Sequence, residues 1–314
     1  MENIFNLCYN VSALERRANM NNHYLAFDVG GTTIKYALMD SDLNFLERGK
    51  RLTNHNHDHA IINNLKSISA DMQAKYDLTG IGVSTAGRVG PHGEIIFSGP
   101  TIQHYQGTAI KAILEEETKL PVNVLNDVDA ALRGEIFCGA GQLYRSIYCI
   151  ALGTGIGGAF YLDHHLVEGA HNLGNSVGYL DYNPADQSTF ESHHSTLTFE
   201  RQLAPEGISV PEAFTMARQG DQHYLHLIDQ WCDAIGQKMA QICLILDPEA
   251  FLIGGAVSQQ GTFFINRLRS ATKKYLPAGM FHVQIKAAML QDRAQLFGAV
   301  ADFFDEAKKV QDSL

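Results

Sequence analysis

The sequence predicts an α/β fold made of two related halves. Three observations carry that expectation: apolar strands alternate with helical stretches, three glycine turns close apolar runs, and a strand–glycine–strand device occurs twice. Tyr24–Val29 is a run of strand-forming residues, Gly30-Gly31 breaks it, and Thr33–Met39 reads as the return strand. Polar residues, among them HNHDH at 55–59, lead into a helix over Ala60–Tyr76. Ile81–Ser84 reads as a short buried strand, followed by the loop TAGRVGPHG. Thr108–Lys119 has helical character, and Pro121 opens another strand, Val122–Leu125, which ends on Asn126-Asp127. A small-residue helix, Val128–Phe137, follows.

The pattern then restarts. Ile147–Leu152 is a strand, Gly153-Thr154-Gly155 breaks it, and Gly157–Leu162 returns. Set 123 residues apart, the two segments pair Gly30 with Gly153, Met39 with Leu162, Asp40 with Asp163 and Leu43 with Leu166, which points to an internal duplication. Beyond a polar loop at 181–196, helices are expected near 197–204, 210–218 and 221–246, the last stopped by Asp247-Pro248. The strand Phe251–Ile253 runs into Gly254-Gly255. A helix over Thr262–Lys274, a strand over Val283–Ala287 and a helix over Ala294–Lys308 follow.

Composition narrows the function. A length of 314 residues with 45% hydrophobic and 18% charged residues has ample core material. A formal charge of −10 argues against a broad basic face for nucleic acid or anionic lipid, and no apolar run is long enough to span a membrane. Five cysteines without CxxC spacing read as reduced thiols of a cytoplasmic protein. Among fourteen histidines, the groups His55, His57 and His59, His164-His165, and His193-His194 read as solvated loop or turn residues, and none shows metal-binding spacing. Residues 1–19, ahead of Met20, are expected to lie outside the fold.

Glycine lets backbone N–H groups approach an anion closely, and threonine hydroxyls add uncharged donors. Gly30, Gly31, Thr32 and Thr33, then Gly153, Thr154 and Gly155, then Gly254 and Gly255, are therefore candidate phosphate-side turns, although each alone could be a tight turn. None fits the spacing of a dinucleotide fold or a P-loop. Asp28 could hold Mg²⁺ beside the phosphates or simply cap a turn. Asn126-Asp127 sit where a strand meets a helix, the edge at which α/β proteins place ligands. There Asp127 could take a proton from a hydroxyl, or the pair could be a helix cap. Asp129 reads as a first-turn residue favoured by the helix dipole, and Glu135 as a helix-face carboxylate.

Taken together these segments resemble a known family. FDVGGTTIKYALMD is similar to the phosphate hairpin of the actin-like ATPase and sugar-kinase superfamily. GIGVSTAGRVG, the stretch IIFSGPTIQHYQGTAIKAILEEETKLPVNVLNDVDAALRGE, IALGTGIGGAFYLDHHLVEGA and LDPEAFLIGGAVS resemble the ROK family in its own order, from about Tyr24 to Phe303. The resemblance implies a two-lobed actin-like ATPase (ribonuclease H-like) fold with duplicated α/β domains. The N-terminal lobe would span 20–125, joined by the helix at 294–314, and the C-terminal lobe 126–293. It further implies ATP-dependent phosphorylation of a hexose, commonly at the 6-hydroxyl, and a homodimer. Asp127 would be the base and Asn126 a sugar ligand. Ser84, Gly87, Gly99 and Pro100 would line the sugar side. Gly30–Thr33 with Lys35 and Gly153–Gly155 would bracket the phosphates of MgATP, and Gly254-Gly255 would lie by the adenosine.

The chain departs from that family at one place. Where Gly-Glu-Ile-Gly-His is usual, it has Asn175-Ser176-Val177-Gly178-Tyr179, so Ser176 replaces a sugar-gripping Glu and Tyr179 a His. With no cysteine in 181–196, no structural zinc is expected. Glu191 corresponds to a later Glu that reaches the sugar, or is a solvated loop carboxylate. The alternative to a kinase is a sugar-binding regulatory protein or pseudokinase of the same fold. The residues before Gly30 are too few for the DNA-binding module of a ROK repressor, and the Asn126-Asp127 pair speaks against a purely conformational ATPase.

Overall fold

The structure, a computed structural model, describes residues 22–99 and 102–312. The expected extension at 1–19 and the candidate Pro100 lie outside the described residues. The chain forms two compact units: the described residues up to Cys138 together with the segment from Asp292, and Gly139–Gln291.

The first unit is built on a sheet of β1 (His23–Val29), β2 (Thr33–Met39), β3 (Phe45–Leu52), β4 (Leu78–Thr85) and a further strand, with α1 (Ala60–Gln73) between β3 and β4. A small ribbon of β5 (Arg88–Val89) and β6 (Ile95–Phe97), then α2 (Ile110–Thr118), lead into that last strand, β7 (Val122–Asn126), and α3 (Asp127–Cys138). Strand order is β3-β2-β1-β4-β7, antiparallel on the β2 and β3 side and parallel from β1 through β4 to β7. β1 is central: Leu25, Phe27 and Val29 are fully buried, beside Ile34 and Leu38 of β2. α1 buries Ile61, Leu65, Ile68 and Met72, a three-and-four spacing that makes one apolar stripe.

β3 is missing from the elements read in the sequence. FLERGKRL carries its charges on an edge strand, where paired backbone on one side suffices and charge guards the other. Its Gly49 is a packing requirement, since a Cβ there would lie 2.3 Å from the Tyr36 ring.

The helix Ala294–Asp312 returns to this first unit. It crosses α3 at van der Waals limits. A Cβ on Gly134 would lie 2.1 Å from the Ala294 carbonyl oxygen, and one on Gly298 would lie 1.7 Å from that of Ala130. Arg133 Nε donates to Asp302 at 2.9 Å, and Asn123 Nδ2 donates to the other carboxylate oxygen at 3.2 Å. This packing places α3 with the first unit, so the division falls at 138/139 and not at 125/126. Asp129, read as a dipole-favoured first-turn residue, and Glu135, read as a helix-face carboxylate, are both buried, at 3% and 1% exposed.

The second unit repeats the plan. Its sheet joins β8 (Ser146–Leu152), β9 (Ile156–Leu162), β10 (His165–Leu166), β11 (Ala250–Gly254) and β12 (Gln284–Ala287). The order β10-β9-β8-β11-β12 has the same sense pattern as the first, antiparallel then parallel. The duplication is thus a topological identity and not only four paired letters. One difference is local: Val29↔Ile34 closes a four-residue turn in the first hairpin, while Leu152↔Ile156 closes a three-residue turn in the second.

Helices α4 (Phe190–His194), α5 (Thr196–Leu203), α6 (Val210–Arg218), α7 (Gln222–Leu246) and α8 (Thr262–Lys274) complete this unit. α7 begins at Asp221, whose carboxylate accepts from the N–H groups of His223 and Tyr224. It ends at Asp247, left-handed at φ 45° just before Pro248. Phe199 and Trp231 stack at 4.9 Å in its core. Among the described residues Cys138, Cys149, Cys232 and Cys243 are free thiols, and no helix is long and apolar enough to cross a membrane.

Candidate active site

In the first unit the candidate residues converge at the carboxyl ends of three adjacent parallel strands. Val29 pairs with Thr85, Thr85 with Asn126, and Asp28 with Ser84. Asp127 follows at the first turn of α3. Helix and strand rules together fix this arrangement: strand carboxyl ends and helix amino ends point the same way in a parallel unit.

Asn126, 8% exposed, takes the cap role. Its Oδ1 accepts from the Val128 N–H at 3.0 Å, and its Nδ2 donates to the Gly87 carbonyl at 2.6 Å. Gly87 is needed for its backbone, with φ +97° and room for no Cβ beside the Phe97 carbonyl.

Asp127 keeps a small accessible edge but sits deep among protein atoms. Burial, with Asp28 as a like-charged neighbour, pushes its pKa up to about 6; the Val128 N–H, Asn126 and Arg88 oppose the rise. Asp28 is held above the usual carboxylate range too, chiefly by burial, against the pull of Lys35 at 3.8 Å and of the Ser84 hydroxyl at 3.4 Å. Ser84 is fully buried and its hydroxyl is directed at Asp28, so in this structure it orients a carboxylate and is not displayed as a sugar ligand.

Two raised carboxylates side by side form a site that would gain from a divalent cation, and Asp28, oriented by Ser84, suits Mg²⁺ carried with a nucleotide. Among the described residues no cluster of three or more His, Cys, Asp or Glu side chains could hold a metal ion by itself.

The glycine turns separate into two kinds. In the first hairpin the Gly30 N–H donates to the Thr33 carbonyl at 2.9 Å, and Thr32 is exposed at the tip. A Cβ on Gly30 would meet only the Thr33 carbonyl at 3.4 Å, and one on Gly153 or Gly99 would meet nothing within 4 Å. None of these three has a left-handed backbone. The fold therefore does not demand glycine at Gly30, Gly153 or Gly99, and close approach of a ligand would. Gly255 is the opposite case: its φ is +89° and a Cβ would fall 1.9 Å from the Leu152 carbonyl oxygen. Gly254 shows only ordinary contacts with Ala151.

In the second unit Glu191 meets the glycine turn. Its Oε2 accepts from the Ile156 N–H at 2.8 Å and would lie 2.5 Å from a Cβ at Gly155 and 2.9 Å from one at Gly178. The carboxylate thus occupies a slot that those two glycines leave open, which sets aside the solvated-loop alternative. α4 carries it there, opened by a capping box between Thr189 and Ser192. The turn is also fixed through the Gly153 carbonyl, which accepts from the Leu197 N–H at 3.2 Å. Ser176 points its hydroxyl at the Leu173 carbonyl at 2.8 Å, and Tyr179 is 49% exposed. Lys238, 6% exposed, reaches Asp181 at 2.7 Å and fastens the loop that leads to α4, a role not visible in the sequence.

A model of the ROK family matches residues 24–305. The chain belongs to the ROK family. It is 31% identical over 292 residues to an uncharacterised protein of Clostridium perfringens, covering 91% of this chain and 99% of that one. A beta-glucoside kinase of Klebsiella pneumoniae is 29% identical, with 76% of this chain and 83% of the relative covered. The crystal structure of a ROK family glucokinase from Streptomyces griseus, in complex with glucose and AMPPNP, superposes with a TM-score of 0.75 at 27% identity, covering 90% of this chain and 98% of that one. The two five-stranded units accordingly form the actin-like ATPase fold shared by this family.

Proposed function

We propose that this ROK carbohydrate kinase transfers the γ-phosphoryl group of ATP to the 6-hydroxyl of a hexose or hexose derivative, with Asp127 as general base. The observation that carries the reading is the Asp127 carboxylate itself: buried at a helix start beside Asp28, with a pKa of about 6, at the edge where strand ends collect. A base of that strength is ionised at neutral pH yet still able to take a proton as an alcohol oxygen attacks phosphorus.

On this reading Asp127 accepts the hydroxyl proton while Asn126, braced on Gly87, fixes the start of α3 and offers its amide edge to neighbouring hydroxyls. Gly87 and Gly99 leave backbone surface for the sugar. Gly31, Thr32 and Thr33 present N–H and hydroxyl donors to phosphate oxygens, and Gly30, its own N–H held by the Thr33 carbonyl, leaves room for their close approach, with Lys35 and Asp28 behind them. Gly153, Thr154 and Gly155 offer a second cradle, kept in shape by Glu191, and Gly254-Gly255 border the adenosine side. Mg²⁺, held at Asp28, would neutralise phosphate charge, the main electrostatic demand of phosphoryl transfer. Glu191 and Tyr179 are the second unit's contacts to substrate, and a homodimer is the assembly proposed.

A second reading, a sugar-binding protein with weak or no transfer, is favoured by Ser176, whose hydroxyl serves the Leu173 carbonyl where an acidic grip would be expected. One experiment separates them. ADP release is followed with MgATP against glucose, N-acetylmannosamine, N-acetylglucosamine, fructose and a β-glucoside, beside Asp127→Asn. Sugar-dependent release lost in the variant supports the kinase. Release that survives in the variant removes Asp127 as base. A melting shift with sugar but no release by the wild type supports the binding protein.

A further inference from the structure

The segment between β3 and α1 is strained and tied at both ends. Asn54, His55, Asn56, Asp58 and His59 all have positive φ, between 48° and 61°. Left-handed backbone is costly for residues with a Cβ, so five such residues in six, broken only by the extended His57, persist only where the surroundings over-determine them.

One end is Thr53, fully buried. Its Oγ1 donates to the Gly31 carbonyl at 2.8 Å and its N–H donates to the Thr32 carbonyl at 2.9 Å. The other end is Asn56, 3% exposed, whose Nδ2 donates to the Gln103 carbonyl at 2.9 Å and the His104 carbonyl at 3.4 Å. Its Oδ1 accepts from the Ile61 N–H at 3.1 Å, and the Asn56 N–H returns to the Thr53 carbonyl at 2.8 Å. The Gln103 N–H donates in turn to the His55 carbonyl at 3.2 Å.

Beyond this junction the Tyr105 hydroxyl lies 2.6 Å from Thr85 Oγ1, and Thr85 is the register partner of Asn126. A path of hydrogen bonds, completed by the covalent step from His104 to Tyr105 and by strand pairing, therefore runs from the tip of the first glycine turn, through Thr53 and Asn56, to the strand end that carries the Asn126-Asp127 pair.

We propose that Asn56 is a positioning residue that couples the Gly31-Thr32 turn to the 102–105 loop, so that nucleotide at the turn sets the loop on the sugar side. The proposal rests on the reading of that turn as a nucleotide cradle. The coupling is mechanical: the Gly31 and Thr32 carbonyls of the turn tip are held by Thr53, and the Gln103 and His104 carbonyls of the loop by the Asn56 amide. The short strap between them, held at both ends by these bonds, would transmit a shift that an untied loop would absorb.

Hydrogen exchange of the full chain tests this, with and without MgAMPPNP, read over residues 28–36 and 102–108. Asn56→Asp keeps the acceptor for Ile61 and the tolerance of positive φ, but loses both donors to the loop. Thr53→Val is nearly isosteric and cuts the other end. In the wild type, nucleotide is expected to slow exchange at least fivefold in both segments. In either variant the slowing at 28–36 stays and that at 102–108 is lost. Equal nucleotide-dependent slowing at 102–108 in wild type and both variants overturns the proposal, even if the variants melt earlier, because Asn56 is then a fastener only. Slowing at 28–36 without any at 102–108 in the wild type overturns it too. No slowing at 28–36 in the wild type instead defeats the nucleotide reading of the turn, and the proposal with it.

Discussion

The side-chain amide of Asn126 bridges two backbone groups, the Gly87 carbonyl at 2.6 Å and the Val128 N–H at 3.0 Å. One residue thus sets both the loop after β4 and the first turn of α3. Asn126→Ala removes a helix cap and leaves the Gly87 carbonyl without its donor. The expected loss is roughly 1–3 kcal/mol in urea denaturation, with a fall in kcat/KM for sugar. Unchanged stability would mean that neither bond matters to the fold.

Asp127→Asn separates chemistry from stability. Turnover is expected to fall at least 100-fold, the usual scale for a general base. Stability moves the other way. The native pKa of about 6 lies above the ordinary 3.8, so folding favours the protonated form. The ionised native carboxylate therefore costs stability at pH 8, up to about 3 kcal/mol and less to the extent that its open edge is solvated. Asn mimics the protonated form. The variant should melt higher than wild type above pH 6, and the gain should vanish as pH falls towards 3.8. Melting curves at pH 4 and pH 8 check the sign.

The same pKa predicts the wild type's pH profile. The kcat/KM for sugar should fall on the acid side with a midpoint near pH 6, since only ionised Asp127 takes the proton. A profile flat from pH 5 to 8 would argue for a base of ordinary acidity.

Gly153→Ala and Gly155→Ala should behave differently although they are two residues apart. A Cβ at 153 meets nothing within 4 Å, so stability should stay within about 0.5 kcal/mol while KM for ATP rises. At 155 the Cβ meets Glu191 Oε2 at 2.5 Å, and the variant should lose about 1–3 kcal/mol. Adding Glu191→Ala to Gly155→Ala should recover part of that loss. Chemical denaturation of the four proteins measures each term.

Gly298→Ala places a methyl 1.7 Å from the Ala130 carbonyl oxygen, against backbone that cannot give. A loss of about 3 kcal/mol or more is expected, at the upper end for overpacking, together with reduced turnover because α3 carries Asp127. A variant of wild-type stability and activity would show that the two helices can part without consequence.

Much of this was legible in the sequence. Strands such as Thr33–Met39 announce themselves because a glycine break follows or precedes an apolar run, and Asp221 and Asp247-Pro248 mark both ends of α7. The Asn126-Asp127 pair was visible by its place between strand and helix. Other features depend on distant partners. β3 hides behind its charges, and the need for Gly134 becomes visible only where α3 meets a helix that begins 160 residues later in the chain. Ser84 looked like a sugar ligand until Asp28 appeared on the neighbouring strand. Asn56 sat among exposed histidines and gave no periodic signal, because its partners at 103 and 104 are joined to it only by tertiary contact.

The return of the 294–312 helix to the first unit has a consequence for synthesis. Translation delivers the strands of the first unit early, but the surface that seats α3 is encoded only after the whole second unit. The earlier unit must wait, the α3 face that meets this helix uncovered, until the 294–312 helix emerges. A ribosome that stalls between the two would release a chain holding every residue of the Asn126-Asp127 pair and its glycine turns, yet with the base on an unsupported helix. Chain order thus makes the seating of the Asp127 helix wait on residues encoded after the whole second unit.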